Sequence, residues 1–472
     1  MREAALVGAA LLALATACTG GPAPAAITPG PAPPDDVPLV VVSAADLTSP
    51  DESGVRQSLI DAWNERSPIK ARLVELSSTD GDARAEVLAG LQSGAAEYDV
   101  LNLDVSWIPE FAAAGLVTEL DERLVEPEFV ADVARTGWWR DRLYAVPFNT
   151  DVGLLYYRRD LLESVDLWGD SLPALYAGRA GGQRTATYVT QLRPYEGLVV
   201  NVLEALWTAV PDRALVDADG DYVGTLPQLE AGLGLLRDIA DRAHLSTAAL
   251  DADETGALEE FARLDGGTAL MRNWPFALNR VADRLAADRV PFGVTRLPGV
   301  AALGGQSLAV AASSPRAAAA EELIRFLTGD PANQARLLDA GFAPALSAAY
   351  RLPADFGRAD CEPTLRVATP TTDDGSGWAG TSGSGEEARW RPDRRAHAAL
   401  LWCALQDARS RPATPYYRQF SQVIQEEVGR LLTEDPARGQ SVEETAERLH
   451  ARLPLALQGR LPPPTGPQDH GG

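Results

Sequence analysis

The chain has 472 residues, 46% of them hydrophobic, and sets 42 Lys and Arg against 66 Asp and Glu for a formal net charge of −24. A surface this acidic repels nucleic acid and anionic lipid headgroups, which argues against both as partners of the folded body. The length is too great for one ordinary hydrophobic core, and the apolar fraction is enough to fill two.

The N-terminal end reads as an export signal. An apolar run from Ala4 to Leu14 is too short to span a bilayer and suits the core of a signal peptide over residues 1–17. The segment Ala15-Thr16-Ala17-Cys18 resembles a bacterial lipobox, which implies acylation of Cys18 and a lipid anchor on the extracellular face of the cell membrane. Residues 18–38 then form a tether rich in Pro, Gly and Ala, with almost nothing to bury. No later stretch approaches the length and apolarity of a membrane span. The tail 461–472 carries the composition of a disordered end.

The remaining cysteines, Cys361 and Cys403, are expected to pair in an oxidising compartment, the alternative being two buried free thiols.

Between the ends, strand and helix patterns alternate. Pro38–Val42 is a short, wholly apolar run of the kind found in buried parallel strands. Val55, Leu59, Ile60 and Trp63 fall on one helical face, Ile69–Leu76 alternates as a second strand, Ala83–Leu91 is helical, and Asp99–Leu103 is a third strand. This order predicts an α/β fold. Farther on, Ser314-Pro315 reads as an N-cap and first-turn proline, with Gly329 and Pro331 closing that helix. Phe420, Val423, Ile424, Val428, Leu431 and Leu432 recur at three- and four-residue steps, a second amphipathic helix. The Gly/Ser-rich acidic stretch 371–387 reads as a surface insertion.

Several blocks carry a resemblance. YDVLNLDVSWIPEFAAAGLVTELD at 98–121, DRLYAVPFNTDVGLLYYRRDL at 141–161, RPYEGLVVNVLEALW at 193–207, GGTALMRNWPFALN at 266–279, GGQSLAV at 304–310, RPATPYY at 411–417 and GQSVEETAERL at 439–449 follow one another in the order seen in the extracellular sugar-binding proteins of ABC importers. The chain is similar to the maltose- and trehalose/maltose-binding members of that family over most of its mature length. The resemblance implies a two-lobed periplasmic-binding-protein (Venus-flytrap) fold with interlobe crossings and a ligand cleft. The N-lobe is expected at 39–149 and 294–342, the C-lobe at 150–293 and 343–460. It further implies capture of a di- or oligosaccharide by a monomer, delivery to the transmembrane subunits of an ABC permease, and no cofactor or catalysis. The cleft residues carried over are Asp104, Asn149, Asp151, Glu196, Trp274, Gly305 and Arg411. Their chemistry suits a sugar: carboxylates, an amide and an arginine for hydroxyls, an indole for an apolar C–H face, and a glycine where backbone comes close.

Each has a plainer role beside it. Asp104 could cap the helix starting near Trp107, Asn149 and Asp151 could hold a turn, Glu196 could be a solvated helix residue, and Arg411 a surface ion pair. Trp274, placed before Pro275 where a helix must end, could be core; Trp107 and Tyr195 read as packing. Other functional readings are weaker. Gly169-Asp-Ser-Leu172 spells an esterase block without its partner His, and His244, His397, His450 and His470 lack zinc spacing. Asp217–Asp221 has its glycine misplaced for a calcium loop and reads as a hairpin turn. The alternatives retained are a degenerate binding protein acting as sensor or scaffold, a binder of a non-sugar solute such as a glycerophosphodiester, and, least favoured, a glycoside hydrolase.

Overall fold

The computed structural model describes residues 29, 34, 36–44, 54–76, 80–93, 97–125, 128–162, 187–211, 213–242, 245–286, 288–361, 364–367, 393–433 and 440–460. The leader, Cys18, most of the tether, Gly169–Leu172, His244, the 371–387 insertion and the tail with His470 lie outside them.

Two large sheets organise the chain. The first contains β1 (Leu39–Ser43), β2 (Ala71–Glu75), β3 (Val100–Asp104), β6 (Val146–Val152), β11 (Ala302–Val310) and β12 (Ala343–Pro344), in the order β12-β6-β11-β3-β1-β2, with β14 (Arg409–Ser410) also paired to β11. β1 lies parallel to β2 and β3, and all five of its residues are buried, as an apolar run covered on both faces requires. The second sheet has the order β13-β10-β7-β9-β8, built from β7 (Leu154–Arg158), β8 (Thr187–Val189), β9 (Thr268–Asn273), β10 (Phe292–Arg296) and β13 (Thr364–Val367). A small hairpin joins β4 (Trp138–Trp139) to β5 (Arg142–Leu143).

Helices cover both sheets. In the first lobe, Gly54–Arg66 buries Leu59, Ile60 and Trp63. Helix Ala317–Gly329 starts later than its sequence predicts: its N-cap is Arg316, whose side chain makes no cap, while Ser314 Oγ accepts from the Arg316 backbone N–H at 3.2 Å just ahead of the helix. Ser314 Oγ donates to Asp99 Oδ1 at 2.6 Å, and Arg316 Nη2 meets Asp99 Oδ2 at 2.7 Å. Pro331 opens a new helix, Pro331–Ala340, capped by Asp330. In the second lobe, Glu196–Ala209, Leu226–Arg242, Tyr417–Thr433 and Val442–Ala456 pack together. Phe420, Val423, Ile424, Val428 and Leu431 form the buried stripe of the third of these. Asp217–Asp221 is a turn, its Asp217 Oδ1 accepting from the backbone N–H of Asp219 and Asp221. Cys361 and Cys403 are disulfide-bonded, fixing the segment before β13 to helix Arg394–Leu405.

The chain changes sheet at Gly153, between β6 and β7, and again between β10 and β11. A buried ion pair sits at this crossing. Glu204 accepts from Arg272 through two bonds of 2.7 and 3.1 Å and from the backbone N–H of Ala302 at 2.9 Å. A Cβ at Gly153 would collide with both the Glu204 carboxylate and the Arg272 guanidinium, so only glycine lets the strand pass. The pair thereby joins helix Glu196–Ala209, β9 and the start of β11. Removing one partner leaves the other as an uncompensated buried charge. Glu204→Ala is expected to lower unfolding stability by about 3–5 kcal/mol, measured by chemical denaturation. A loss under about 1 kcal/mol would show that the crossing does not depend on the pair.

Candidate functional site

The two sheets flank a cavity of about 630 Å³. Strand register builds its floor. On β11, Gln306 lies opposite Asp104 of β3 on one side and Asn149 of β6 on the other, and Gly304 lies opposite Asp151. Gly305 has φ +118°, and a Cβ there would strike the Asn149 carbonyl, so glycine is needed where β11 shifts register against β6. Of the residues carried over from the resemblance, Asp104, Asp151, Glu196, Trp274, Gly305 and Arg411 all line this cavity. Asn149 does not. It is 1% exposed, with its Nδ2 3.5 Å from Asp151 Oδ2, because its neighbours in the sheet cover it.

Three of these four ionic residues, Asp104, Glu196 and Arg411, are bonded to one another in the cavity wall. Arg411 Nη2 donates to Asp104 Oδ1 and Oδ2 at 2.7 and 2.9 Å, and its Nη1 donates to Glu196 Oε1 at 2.8 Å. Glu196 also accepts from the Tyr417 hydroxyl at 2.6 Å and from Ser421 Oγ at 2.8 Å. Asp104 further accepts from the Ser106 backbone N–H and hydroxyl, while the N-cap of the following helix is Trp107. Burial alone would lower the Arg411 pKa, but Asp104, Tyr417 and Glu196 raise it well above the ordinary value.

Trp274 follows a strand, β9, rather than ending a helix; Pro275 separates that strand from helix Ala277–Ala286. The residue before a proline avoids helical backbone, and here the element on the N-terminal side is extended. One indole face is covered by the Arg272 guanidinium, 3.8 Å from the ring centroid. The benzo edge reaches Gly304, where a Cβ would lie 3.4 Å from it, and Nε1 is 3.4 Å from Glu254 Oε1. The indole is thus braced on one face by Arg272 and lines the cavity.

Residues far apart in sequence complete the wall. Trp107 and Tyr195, expected as packing, both line it, with Phe276, Phe342 and Tyr417. Arg84 pairs with Glu110, and Arg193 pairs with Asp253 at 3.2 Å while lying over the Tyr195 ring. Arg56 is the least predictable: helix Gly54–Arg66 buries it beside Leu59 and Ile60, and its guanidinium reaches Gln306 Oε1 at 2.8 Å. A charged residue on an otherwise apolar helical face was the available signal.

Residues 58–359 match the family described as bacterial extracellular solute-binding protein. The chain belongs to that family. Its members are binding proteins, not enzymes, so the solute-binding protein's carboxylates are read as binding groups. A protein of Deinococcus radiodurans called a probable ABC transporter-binding protein is 28% identical over 314 residues, covering 62% of this chain and 72% of its own. The structure of maltose-bound T. maritima MalE3 superposes with a TM-score of 0.67 at 25% identity, covering 88% of this chain and 98% of that one. UgpB of Mycobacterium tuberculosis, solved with glycerophosphocholine, shares the fold at 19% identity, TM-score 0.66, over 90% and 99%. The fold of this solute-binding protein is accordingly the two-lobed one. Among the described residues no helix is long and apolar enough to cross a membrane, and no cluster of side chains could hold a metal ion.

Asp151 is the most perturbed acid of the cavity. Its Oδ1 is buried without a hydrogen-bond partner, and desolvation pushes its pKa up to about 7, with Arg56 opposing and Asp104 adding to the rise. A carboxyl with a raised folded-state pKa favours the fold when protonated, and that contribution is lost as pH rises through the folded value. The ligand-free protein is therefore expected to lose stability relative to Asp151→Asn from about pH 4 to about pH 7. Paired melting curves across that range check this; a constant difference would mean Asp151 is ionised throughout.

Proposed function

We propose that this solute-binding protein captures a di- or oligosaccharide of the trehalose/maltose kind by lobe closure and delivers it to an ABC permease. The observation that carries the reading is Trp274, an indole backed on one face by Arg272 and presented to a cavity with five further aromatic liners. Sugars offer apolar C–H faces to such rings and hydroxyls to the polar groups between them. The volume, about 630 Å³, is that of a small-molecule site. The MalE3 structure with maltose and the Deinococcus relative named for an ABC transporter support the same reading.

The charge pattern favours a neutral solute over a phosphodiester. Arg84, Arg193 and Arg411 are each paired with a carboxylate of the same cavity, Arg56 meets Gln306 and Arg418 also lines the wall, so five arginines stand against six carboxylates and the cavity carries no net excess of cations for a phosphate.

Trp274→Ala tests the reading by titration calorimetry with maltose and trehalose. Loss of roughly 100 Å² of apolar contact at about 25 cal/mol/Å² is worth about 2.5 kcal/mol, near a hundredfold in affinity. The melting temperature without ligand is expected to change little. A core tryptophan would instead cost about 3–5 kcal/mol of stability. Binding of glycerophosphocholine, but of neither sugar, by the native protein would replace the sugar with a phosphodiester.

The lipobox-like Ala15–Cys18 supports anchoring at the extracellular face through acyl chains on Cys18. Cys18→Ala is expected to move the protein from the membrane to the soluble fraction or to leave the precursor uncleaved. Unchanged membrane association with normal processing counts against the anchor.

A further inference from the structure

Gln306, Gln422 and Gln425 all line the cavity, but their amides are committed differently. Gln422 Nε2 donates to Glu426 Oε1 at 3.0 Å and Gln425 Nε2 to Ser421 Oγ at 2.8 Å, so both direct an N–H group within helix Tyr417–Thr433. Gln306 is held by its oxygen instead. Arg56 Nη2 donates to its Oε1 at 2.8 Å, and Arg56 Nη1 donates to the Ala44 carbonyl at 2.7 Å. An arginine has no acceptor, so the amide atom that it touches must be the oxygen, and Nε2 is turned away from it. Among the described residues nothing accepts from that Nε2, and it is not one of the side-chain nitrogens shut off from solvent. Strand register places it. Gln306 sits two residues after Gly304 on β11, so both face the same side of the sheet. A Cβ at Gly304 would stand 3.4 Å from both the Trp274 ring and the Asp151 Cβ. Gln306, Asp151 and Trp274 therefore border one stretch of the cavity floor.

We infer that Arg56 is a positioning residue: it holds the Gln306 amide by its oxygen, so that Nε2 presents its N–H groups to the cavity and Gln306 is the donor to a solute oxygen. Arg56 is only 5% exposed and acts through Gln306. Its guanidinium lies over the Phe342 ring, 5.7 Å from the centroid, which stiffens the support. The amide is thus oriented by the protein rather than by the solute, and less freedom is lost on binding. Ionised carboxylates only accept hydrogen bonds, so an acid-rich wall serves the hydrogens of hydroxyls and leaves their oxygens to a donor such as this one. A solute with an oxygen at this point gains a bond, and one with a carbon leaves the N–H groups unmet. That the oxygen belongs to a sugar rests on the function proposed above; the holding of the amide does not.

Nitrogen-15 relaxation of protein labelled at glutamine, with no solute added, tests the holding. The Gln306 side-chain amide, assigned by its disappearance in Gln306→Met, is expected to be as rigid as the backbone, with an order parameter of about 0.85, and to loosen in Arg56→Met. A value under about 0.6 in the native protein overturns the proposal whether or not Arg56→Met folds, and so does an equally rigid amide in folded Arg56→Met. Titration calorimetry with maltose and trehalose tests the donor. Gln306→Met is expected to weaken binding roughly tenfold, and so is Gln306→Glu, which keeps the length and the Arg56 contact but offers only acceptors. Arg56→Met is expected to weaken binding by a similar factor, and the double variant Arg56→Met/Gln306→Met no further, because the two residues act as one unit. Losses that multiply in the double variant, or native affinity in folded Gln306→Glu, overturn the proposal. A native protein that binds neither sugar refutes the sugar reading alone, and the relaxation measurement then decides the role of Arg56.

Discussion

The architecture depends on one buried ion pair placed where the chain leaves one lobe for the other. Arg272 and Glu204 are almost wholly excluded from water, and their side chains meet where Gly153 passes between β6 and β7. The same carboxylate accepts the backbone N–H of Ala302, just where the chain returns to the first-lobe sheet. Two crossings, a helix and a strand are therefore indexed to a single pair of charges. A hydrophobic contact is non-directional and would tolerate sliding at this point. A bidentate guanidinium–carboxylate pair fixes direction as well as distance, which suits a junction where strands of two sheets meet in register.

That pair also reaches the site. The guanidinium satisfied by Glu204 lies flat against Trp274, so the ring that faces the cavity is positioned from the junction outward. Stiffness at the crossing and presentation of the indole are consequences of the same residue. The cavity wall continues the logic: its arginines and acids are mostly matched to one another, leaving aromatic surface and a few uncommitted polar atoms to face a solute.

Much of this was legible along the chain. The first strand, the Leu59–Trp63 helical face, the stripe from Phe420 to Leu431 and the Asp217 turn follow from local periodicity and turn chemistry, which neighbours in sequence suffice to express. Where a competing long-range bond existed, local rules failed. Ser314 resembles an N-cap, and its Oγ does accept from the Arg316 N–H, but its hydroxyl also donates to Asp99, more than two hundred residues away, and the helix begins only at Ala317. Trp274 was placeable as a break residue before Pro275, yet the element it ends is a strand, since β9 is defined by pairing with β7 and β8.

The sequence by itself determined the family, the α/β character and the residue types that a cleft would need, because motifs and periodicity are local properties. Only the tertiary structure decided which of those residues stand free. Asp104, Glu196 and Arg411 look alike on paper as polar cleft groups, but their separations of 215 and 307 residues collapse to hydrogen-bond distance, and they occupy one another. Asn149 and Asp151, two positions apart on one strand, part company because one is covered and the other lines the cavity. Charge pairing and solvent access depend on distances between segments that only the folded chain brings together, and no pattern along the chain encodes them.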